Sequence, residues 1–150
     1  MNLQPFVTSK TVEWSTPPRL FSFLNARFCF TLDPCCTPEN TTCSEFYTIH
    51  DDGLSRSWKG HSVFMNPPYG RTIGEWCAKA RNEAEKGALV VGLLPARTDT
   101  AWWKDHVEGH ADVHFLRGRL KFGGCKTSAP FPSAIVIWWD SRGLEIGVWK

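Results

Sequence analysis

Short apolar runs separated by turn-forming residues recur along the chain and predict β-strands. Several of these runs are closed by Asp-Pro, Asp-Asp-Gly or Asn-Pro-Pro, which are sequences that end strands. The run at 88–94 is almost entirely aliphatic, as is typical of a strand buried on both faces of a parallel sheet. The predicted strands are 28–32, 46–49, 62–65, 88–94, 112–116 and 133–139, with 143–149 as a last edge strand or hairpin partner.

Amphipathic segments lie between these runs and predict helices. In the clearest of them, 73–86, apolar residues repeat at intervals of three and four, the opposite face is charged, and Gly87 ends the pattern. The other two predicted helices are 17–26, with Thr16 as its N-cap and Pro17 in its first turn, and 100–107, with Asp99 or Thr98 as its cap.

Strands that alternate with helices predict an α/β fold, a mostly parallel sheet with helices on both faces. Ligands of such sheets bind beyond the carboxyl ends of the strands. We therefore expect a ligand site where three predicted strands end in polar turns. These turns are Asp33-Pro34, Asp51-Asp52-Gly53 and Asn66-Pro67-Pro68-Tyr69.

Length and composition narrow the class of protein. The 150 residues predict a single domain, 1–150, in which we expect 1–12 to be a flexible N-terminal segment. No apolar run approaches the roughly 20 residues that cross a bilayer, and residues 1–10 lack the layout of a signal peptide, so we expect a cytoplasmic protein without membrane contact. No obligate protein partner is evident. A net charge of +2 is low for a protein that coats DNA regardless of sequence, but it permits DNA binding if cations cluster on one face.

The six cysteines are expected to be reduced thiols, because no export signal accompanies them. We also expect no metal. The first candidate group of ligands lacks the paired cysteine spacing of a zinc site, and the residues of the second are separated by a predicted helix and a predicted strand. The two groups are Cys35, Cys36, Cys43 with His50, and His106, His110 with His114.

The stretch Asn66-Pro67-Pro68-Tyr69-Gly70 carries the strongest chemical signal. Two prolines fix two backbone φ angles and supply carbonyls without competing N–H groups, so the Asn66 side-chain oxygen and the Pro67 carbonyl become two fixed acceptors beside the Tyr69 ring. Acceptors for both protons of an exocyclic amine localise its lone pair, and catalysis then rests on positioning and preorganised hydrogen bonds. The alternative is a plain tight turn. A strand directly before the stretch and a helix directly after it favour the catalytic interpretation.

Asn66-Pro67-Pro68-Tyr69 is the catalytic motif of amino-methyltransferases, and the wider pattern resembles the phage-type DNA N6-adenine methyltransferases, the small Dam-like family. The stretches that carry the resemblance span nearly the whole chain in order. They are Trp14-Ser15-Thr16-Pro17, Phe30-Thr31-Leu32-Asp33, Thr37-Pro38-Glu39-Asn40, Asp51-Asp52-Gly53-Leu54, Met65-Asn66-Pro67-Pro68-Tyr69-Gly70, Leu93-Leu94-Pro95-Ala96-Arg97-Thr98-Asp99-Thr100, Arg117-Gly118-Arg119-Leu120-Lys121-Phe122-Gly123 and Ala129-Pro130-Phe131-Pro132-Ser133-Ala134.

The resemblance implies a Rossmann-like class I methyltransferase fold, S-adenosylmethionine as cofactor, and transfer of a methyl group to N6 of an adenine flipped out of double-stranded DNA by a phage or prophage protein. Asp33 takes the place of the residue that holds the methionine amino group, and Thr16-Pro17 that of the segment at its carboxylate. Asp51 or Asp52 suits the ribose hydroxyls or the adenine amine. The implied cofactor-binding residues are Trp14, Thr16, Pro17, Asp33, Asp51, Asp52, Met65 and Asn66, and the implied catalytic residues are Asn66, Pro67, Pro68 and Tyr69.

Residues in the second half of the chain are candidates for holding the DNA. Tyr69 would stack on the flipped base and Phe131 would cover its second face. Cations near the predicted sheet edge are candidates for contacts to phosphates or guanine edges, although a solvated loop is the plain alternative. These cations are Arg97, Arg117, Arg119 and Lys121. Recognition would have to come from short loops within 95–132, which favours a short site.

Two other functions stay open at this point. The Asn-Pro-Pro-Tyr motif also serves methylation of RNA base amines and of the glutamine side-chain amide in proteins, whose acceptor nitrogens are likewise planar. A non-catalytic nucleic-acid-binding module with a vestigial cofactor pocket is the second alternative. It draws support from the 33–37 loop, which lacks the glycine-rich turn that many methyltransferases have after their first strand.

Overall fold

The structure is a computed structural model that describes residues 14–140. A six-stranded sheet forms the centre of this part of the chain. Helices α1, α2 and α3 and one short 3-10 turn connect the strands. The strands are β1 (Leu32–Asp33), β2 (Glu45–Phe46), β3 (Ser62–Met65), β4 (Leu89–Pro95), β5 (Asp112–Phe115) and β6 (Ser133–Trp138), and the helical segments are α1 (Pro18–Phe28), the 3-10 turn (Gly53–Ser55), α2 (Ile73–Glu85) and α3 (Ala101–His106).

The strand order is β2-β1-β3-β4-β6-β5. The first four strands run parallel, and β6 is antiparallel to both of its neighbours, which confirms a mostly parallel sheet. The order reverses between β1 and β3, since the chain goes from β1 outward to β2 and then returns to β3 on the other side. This reversal is a topological switch point, where doubly wound sheets open a crevice for ligands.

Helices cover both faces of the sheet. Phe64 of β3 packs against Phe21 of α1 with ring centroids 5.3 Å apart, and Phe64 is in register with Val91. Trp138 of β6 is in register with Val90, and its indole donates to a carbonyl at the end of α3. Because neighbouring residues of β4 point to opposite faces, α1 and α3 lie on opposite sides of the sheet.

The core lies around β4 and β6, where nearly every side chain is buried. This confirms the prediction of an aliphatic strand buried on both faces. Gly92 of β4 leaves the room that the Trp138 ring fills, since a Cβ at Gly92 would lie 3.1 Å from that ring. The Trp138 ring is therefore accommodated by the absence of a side chain at Gly92 in the neighbouring strand.

The first two strands differ from the prediction. The predicted strand 28–32 is wrong for most of its length, because α1 continues to Phe28 and ends at Cys29, whose φ of 50° is left-handed. Only Leu32–Asp33 pairs as β1. The predicted strand 46–49 is likewise wrong beyond Phe46, because Thr48 accepts a backbone hydrogen bond from Asp51 and turns the chain.

Two predicted helix caps are also wrong. The N-cap position of α1 is Pro17 and has no side-chain hydrogen bond, because the hydroxyl of Thr16 contacts Asn66 instead. The cap of α3 is Thr100, whose hydroxyl accepts from the backbone N–H of Trp103, rather than Asp99 or Thr98. The remaining predicted elements agree within two residues. Segments 1–12 and 143–149 lie outside the described residues, and within 14–140 no helix is both long and apolar enough to span a membrane.

Candidate active site

A cavity of ≈ 610 Å³ lies at the carboxyl ends of β1 and β3, at the switch point of the sheet. The segment after β1, the segment after β3 and the segment before α1 form its walls. The volume falls within the range of small-molecule and cofactor sites. The position is the one at which doubly wound sheets bind ligands. The residues of these three segments that line the cavity include Trp14, Ser15, Thr16, Asp33, Pro34, Cys35, Cys36, Asn66, Pro67 and Pro68.

Asn66 directly follows β3, and its side-chain amide is held in one orientation. Its Nδ2 donates to the carbonyl of Trp14 at 2.5 Å and to the hydroxyl of Thr16 at 3.0 Å. A carbonyl can only accept a hydrogen bond, so the contact to Trp14 determines which end of the amide is nitrogen. The oxygen Oδ1 is shielded from solvent and has no hydrogen-bond partner within residues 14–140. Because an unpartnered buried acceptor costs free energy, this atom is suited to a donor that a ligand brings.

Asp33 ends β1 and forms part of the cavity wall with only 4% of its surface exposed. Its Oδ2 accepts from the N–H and the hydroxyl of Thr42, at 3.1 and 3.0 Å, and its Oδ1 accepts from the N–H of Cys35 at 3.3 Å. Burial raises the pKa of Asp33 above 3.8, and the hydrogen bonds from Thr42 and Cys35 oppose that rise. No Lys, Arg or His within 14–140 forms an ion pair with it. A cationic ligand group would supply the missing charge compensation.

The two neighbouring carboxylates Asp51 and Asp52 have different surroundings. Asp51 accepts from the N–H and the hydroxyl of Thr48, at 2.8 and 3.1 Å, and these bonds lower its pKa. Its carboxylate therefore holds the turn after β2 and does not line the cavity. Asp52 lines the cavity and adopts a left-handed conformation with φ 54°. Of the two alternatives, Asp52 is the one that lines the cavity.

Apolar side chains form the part of the cavity wall that the sequence did not indicate. Ile49 is 89% exposed at the cavity mouth, and Trp76 of α2 stacks on Trp58 behind the wall, with centroids 6.3 Å apart. The Trp76 position belongs to the apolar stripe of α2, so its spacing alone indicates only a core residue. Gly53 lies where the walls meet, and a Cβ there would be 2.1 Å from the carbonyl oxygen of Pro34.

Two predicted cofactor contacts lie away from the cavity. Met65 is completely buried, and its terminal methyl lies near Gly92 in the sheet core. Pro17 starts α1 and is not among the residues of the wall. Strand alternation turns Met65 to the face opposite Phe64, and the cavity wall is formed one residue later, at Asn66.

Tyr69 is enclosed rather than presented as an open platform. It is 5% exposed, and its hydroxyl donates to the carbonyl of Leu93 at 2.8 Å. Its ring forms T-shaped contacts with Phe122 and Phe131, at centroid distances of 6.2 and 5.6 Å, and Trp14 joins the same aromatic cluster. Burial raises the pKa of Tyr69 well above its ordinary value, so the hydroxyl keeps its proton. The structure thus brings Tyr69 and Phe131 together, with Phe122 packed against both rings and all three buried.

The predicted DNA-contacting cations lie at the same edge of the sheet as the cavity. Arg97 follows the carboxyl end of β4, and its guanidinium lies 5.8 Å from the centre of the Phe131 ring. The loop 116–132 leaves β5 and enters β6 at this edge, because β6 runs antiparallel to β4. The loop contains four cations and no acidic residue. Exposed side chains among the candidates are Arg97, Arg117, Arg119 and Lys121.

The cysteines near the cavity are thiols with weak acidity. All six cysteines are free, and burial raises the pKa of Cys35 well above 9.0 and that of Cys36 to about 12. The described residues contain no cluster of three or more His, Cys, Asp or Glu side chains that could hold a metal ion. These thiols therefore contribute uncharged packing atoms to the wall next to Asp33.

The fold and the cavity together define an α/β domain with a cavity at the switch point of its sheet and the first three residues of the Asn-Pro-Pro-Tyr turn in the cavity wall. The model of the DNA N-6-adenine-methyltransferase (Dam) family matches residues 7–141, and the chain belongs to this family.

Two phage proteins named DNA N-6-adenine-methyltransferase are similar to this chain. The protein of Escherichia phage T1 is 32% identical over 109 residues, which make up 71% of this chain and 45% of the phage protein. The protein of Haemophilus phage HP1 (strain HP1c1) is 27% identical over 112 residues, 73% of this chain and 65% of its own length. The chain therefore spans about half to two thirds of the length of these relatives.

Proposed function

We propose that this protein transfers a methyl group from S-adenosylmethionine to N6 of an adenine flipped out of double-stranded DNA. The observation that carries the proposal is the oxygen of Asn66, a buried acceptor without a partner whose amide is held by two hydrogen bonds at the switch point of the sheet. Membership of the family and the names of both phage relatives support the same activity. The phage origin of both relatives supports a reaction in the cytoplasm of a bacterial host.

We also propose a Rossmann-like class I methyltransferase fold, supported by the parallel strands that run outward from the β1–β3 switch point. The cavity suits a ligand with an amino-acid end and a nucleoside end. Asp33 would hold the ammonium group, Thr16 the carboxylate and Asp52 the ribose hydroxyls, while Ile49 and Trp76 would pack on the adenine ring. When bound, S-adenosylmethionine supplies an electrophilic methyl group on a sulfonium.

The chain's own contribution to the chemistry is positioning of the amine. Asn66 Oδ1 and the Pro67 carbonyl accept hydrogen bonds from the two N–H groups of the amine, which draws the nitrogen lone pair out of conjugation with the ring. No titrating base is required for the attack, because the amine is neutral, and the methylated nitrogen afterwards releases one proton to water. Loss of one such preorganised hydrogen bond costs about 10²- to 10³-fold in turnover in enzymes that stabilise an oxyanion, and we expect a loss of that order here.

Entry of the base requires a rearrangement next to Asn66. Flipping costs a few kcal/mol of stacking and pairing, and stacking on Tyr69 would recover about 1–3 kcal/mol. Since Phe122 now packs on both Tyr69 and Phe131, the loop 116–132 would have to move outward to admit the base. The cations of that loop would then lie close to the phosphates on either side of the flipped nucleotide.

The test is to incubate the purified full chain with unmethylated duplex DNA and radiolabelled S-adenosylmethionine, digest the DNA and identify the labelled nucleoside. We expect label in N6-methyladenine, and about 100-fold less with Asn66→Ala. Cofactor binding without label in DNA would overturn the DNA substrate and direct the search to RNA or protein acceptors. Binding of DNA without any binding of cofactor would overturn the enzymatic function and favour a binding module.

A further inference from the structure

Thr16 has a contact that a role in cofactor binding does not require. Its hydroxyl oxygen lies 3.0 Å from Nδ2 of Asn66, and the carbonyl of Trp14 lies 2.5 Å from the same nitrogen. A primary amide has two N–H protons, so these two acceptors use both of them. Thr16 also lines the cavity. One residue therefore both contacts Asn66 and lines the cavity.

We propose that Thr16 is a positioning residue for Asn66, which keeps the oxygen of the amide directed to the acceptor amine. The inference rests on the proposed function, in which Asn66 Oδ1 accepts a hydrogen bond from that amine. The Thr16 hydroxyl accepts from Asn66 and retains its own proton, which it can donate to an anionic group in the cavity. Such a donation makes the oxygen a stronger acceptor, so an occupied cavity strengthens the hold on Asn66.

The polarity of the amide explains why two acceptors are needed. Rotation of the amide by half a turn would present an NH₂ group, a donor, to an amine that also donates. The Trp14 carbonyl fixes one proton, and the second proton would otherwise be left without a partner in a half-buried site. The β-branched side chain of Thr16 restricts its rotamers, and the N–H of Gly123 donates to Ser15 at 2.9 Å, which fixes the backbone next to it.

Steady-state kinetics test the proposal with a pair of variants. Thr16→Val keeps the shape and removes the hydroxyl, and Thr16→Ser keeps the hydroxyl. We expect kcat at saturating cofactor and DNA to fall about tenfold in Thr16→Val and to return to within about threefold of wild type in Thr16→Ser. A higher KM for cofactor with an unchanged kcat would show a binding role alone and would overturn the proposal.

A double-mutant cycle provides a second measurement. In the Asn66→Ala background no amide remains to be oriented, so adding Thr16→Val should leave kcat unchanged within about twofold. A further tenfold loss in that background would show that Thr16 acts independently of Asn66.

A readout that does not depend on turnover separates this inference from the proposed function. In ¹⁵N–¹H spectra, the side-chain amide pair of Asn66 is assigned by its disappearance in Asn66→Ala. Both protons should exchange slowly in the wild type and in Thr16→Ser, and one should exchange at least about tenfold faster in Thr16→Val. That result without methylation of DNA would defeat the proposed function alone. An unaltered amide pair in Thr16→Val, with DNA methylated normally, would overturn the role of Thr16 alone.

Discussion

The side-chain amide of Asn66 donates a hydrogen bond to the backbone carbonyl of Trp14, a residue 52 positions earlier in the chain. This bond joins the turn after β3 to the segment that enters α1. It also decides the polarity of the site, because the nitrogen end of the amide is consumed by the protein and the oxygen end is left without a partner.

The first prediction follows from that polarity and concerns Asn66→Asp. A carboxylate has no proton for the Trp14 carbonyl, so two acceptors would face each other where a hydrogen bond now forms. We expect kcat for DNA methylation to fall at least about tenfold, while calorimetry shows little change in cofactor affinity. Turnover near the wild-type value would mean that the Trp14 contact does not orient the side chain.

The hydroxyl of Tyr69 is predicted to contribute to stability. It donates to the Leu93 carbonyl inside the protein, so Tyr69→Phe should lower the free energy of unfolding by about 1 kcal/mol. Tyr69→Ala also removes a ring packed on Phe122 and Phe131 and should cost about 3–5 kcal/mol, with loss of activity. Urea denaturation of both variants measures these values. A Tyr69→Phe protein as stable as the wild type would contradict the hydrogen bond.

The parts of the fold that were predicted well are those with many apolar residues in sequence. β3, β4 and α2 contain enough apolar residues to be recognised from the sequence, and their predicted bounds agree with the observed ones within one residue. β1 and β2 contain two residues each, so no alternation can develop in them. Their boundaries depend on a left-handed residue at Cys29 and on the turn between Thr48 and Asp51, and neither feature is recorded in a pattern of apolar residues.

The candidate site shows the same division. The turn motif and the carboxyl ends of the strands pointed to Asn66 and Asp33, and both line the cavity. The contact between Asn66 and Thr16 spans 50 positions and leaves no mark in the local pattern. The contact of Tyr69 with Phe122 of loop 116–132 is also distant in sequence, so the local pattern predicts an accessible ring where the structure has a buried one.

Cofactor affinity is predicted to depend on pH through Asp33. Burial raises the pKa of this carboxyl above 3.8, so it takes up a proton at a higher pH than an ordinary aspartate does. Only the ionised form balances an ammonium group. Affinity for S-adenosylmethionine should therefore fall on acidification, beginning above the pH at which an ordinary Asp is protonated.

Calorimetric titration between pH 7 and pH 4.5 checks this dependence, because the α-amino group of the ligand, with an ordinary pKa of about 7.7–8.0, stays protonated in that range. In Asp33→Asn the affinity should be lower at pH 7 and nearly independent of pH, since the titrating group has been removed. The neighbouring thiols remain neutral throughout that range, because burial raises the pKa of Cys35 and Cys36. A wild-type affinity that does not change with pH would remove Asp33 from the ammonium site.

The basic loop is predicted to set the salt dependence of DNA binding. Replacement of Arg117, Arg119 and Lys121 by Gln should weaken binding to duplex DNA and lower the slope of log K against log salt by roughly 0.9 for each phosphate that the protein no longer neutralises. Lys59→Gln is the matched control, because Lys59 is exposed and precedes β3 at the opposite edge of the sheet. Equal slopes for the triple variant and the wild type would show that the loop does not contact phosphates.

Glu83 is predicted to stabilise the cavity wall from behind. This residue is 1% exposed, and its carboxylate accepts hydrogen bonds from the backbone N–H of Trp58 at 2.9 Å and from Nζ of Lys79 at 2.8 Å. Trp58 in turn donates to the carbonyl of Gly53 and stacks on Trp76, both of which line the cavity. Glu83→Ala leaves the buried N–H of Trp58 without a partner and removes the ion pair of Lys79, whose ammonium then retains its contact with the Trp58 ring. We expect a loss of about 3 kcal/mol in the free energy of unfolding.

The stabilisation by Glu83 should also disappear in acid. Burial alone would raise its pKa, but the hydrogen bonds from Lys79 and Trp58 and the nearby positive charges lower it below 4.5 overall. A lowered pKa in the folded state means that the contribution is fully present above pH 4.5 and is lost as the pH falls through the folded-state value. Urea denaturation from pH 7 to pH 3 should therefore show a smaller loss of stability on acidification in Glu83→Gln than in the wild type.

The exposed Glu85, paired with Arg81 at 3.8 Å, provides the control, since Glu85→Gln should change stability by less than about 0.5 kcal/mol. If Glu83→Gln and Glu85→Gln had the same small effect at pH 7, the carboxylate behind Trp58 would not be what holds this wall in place.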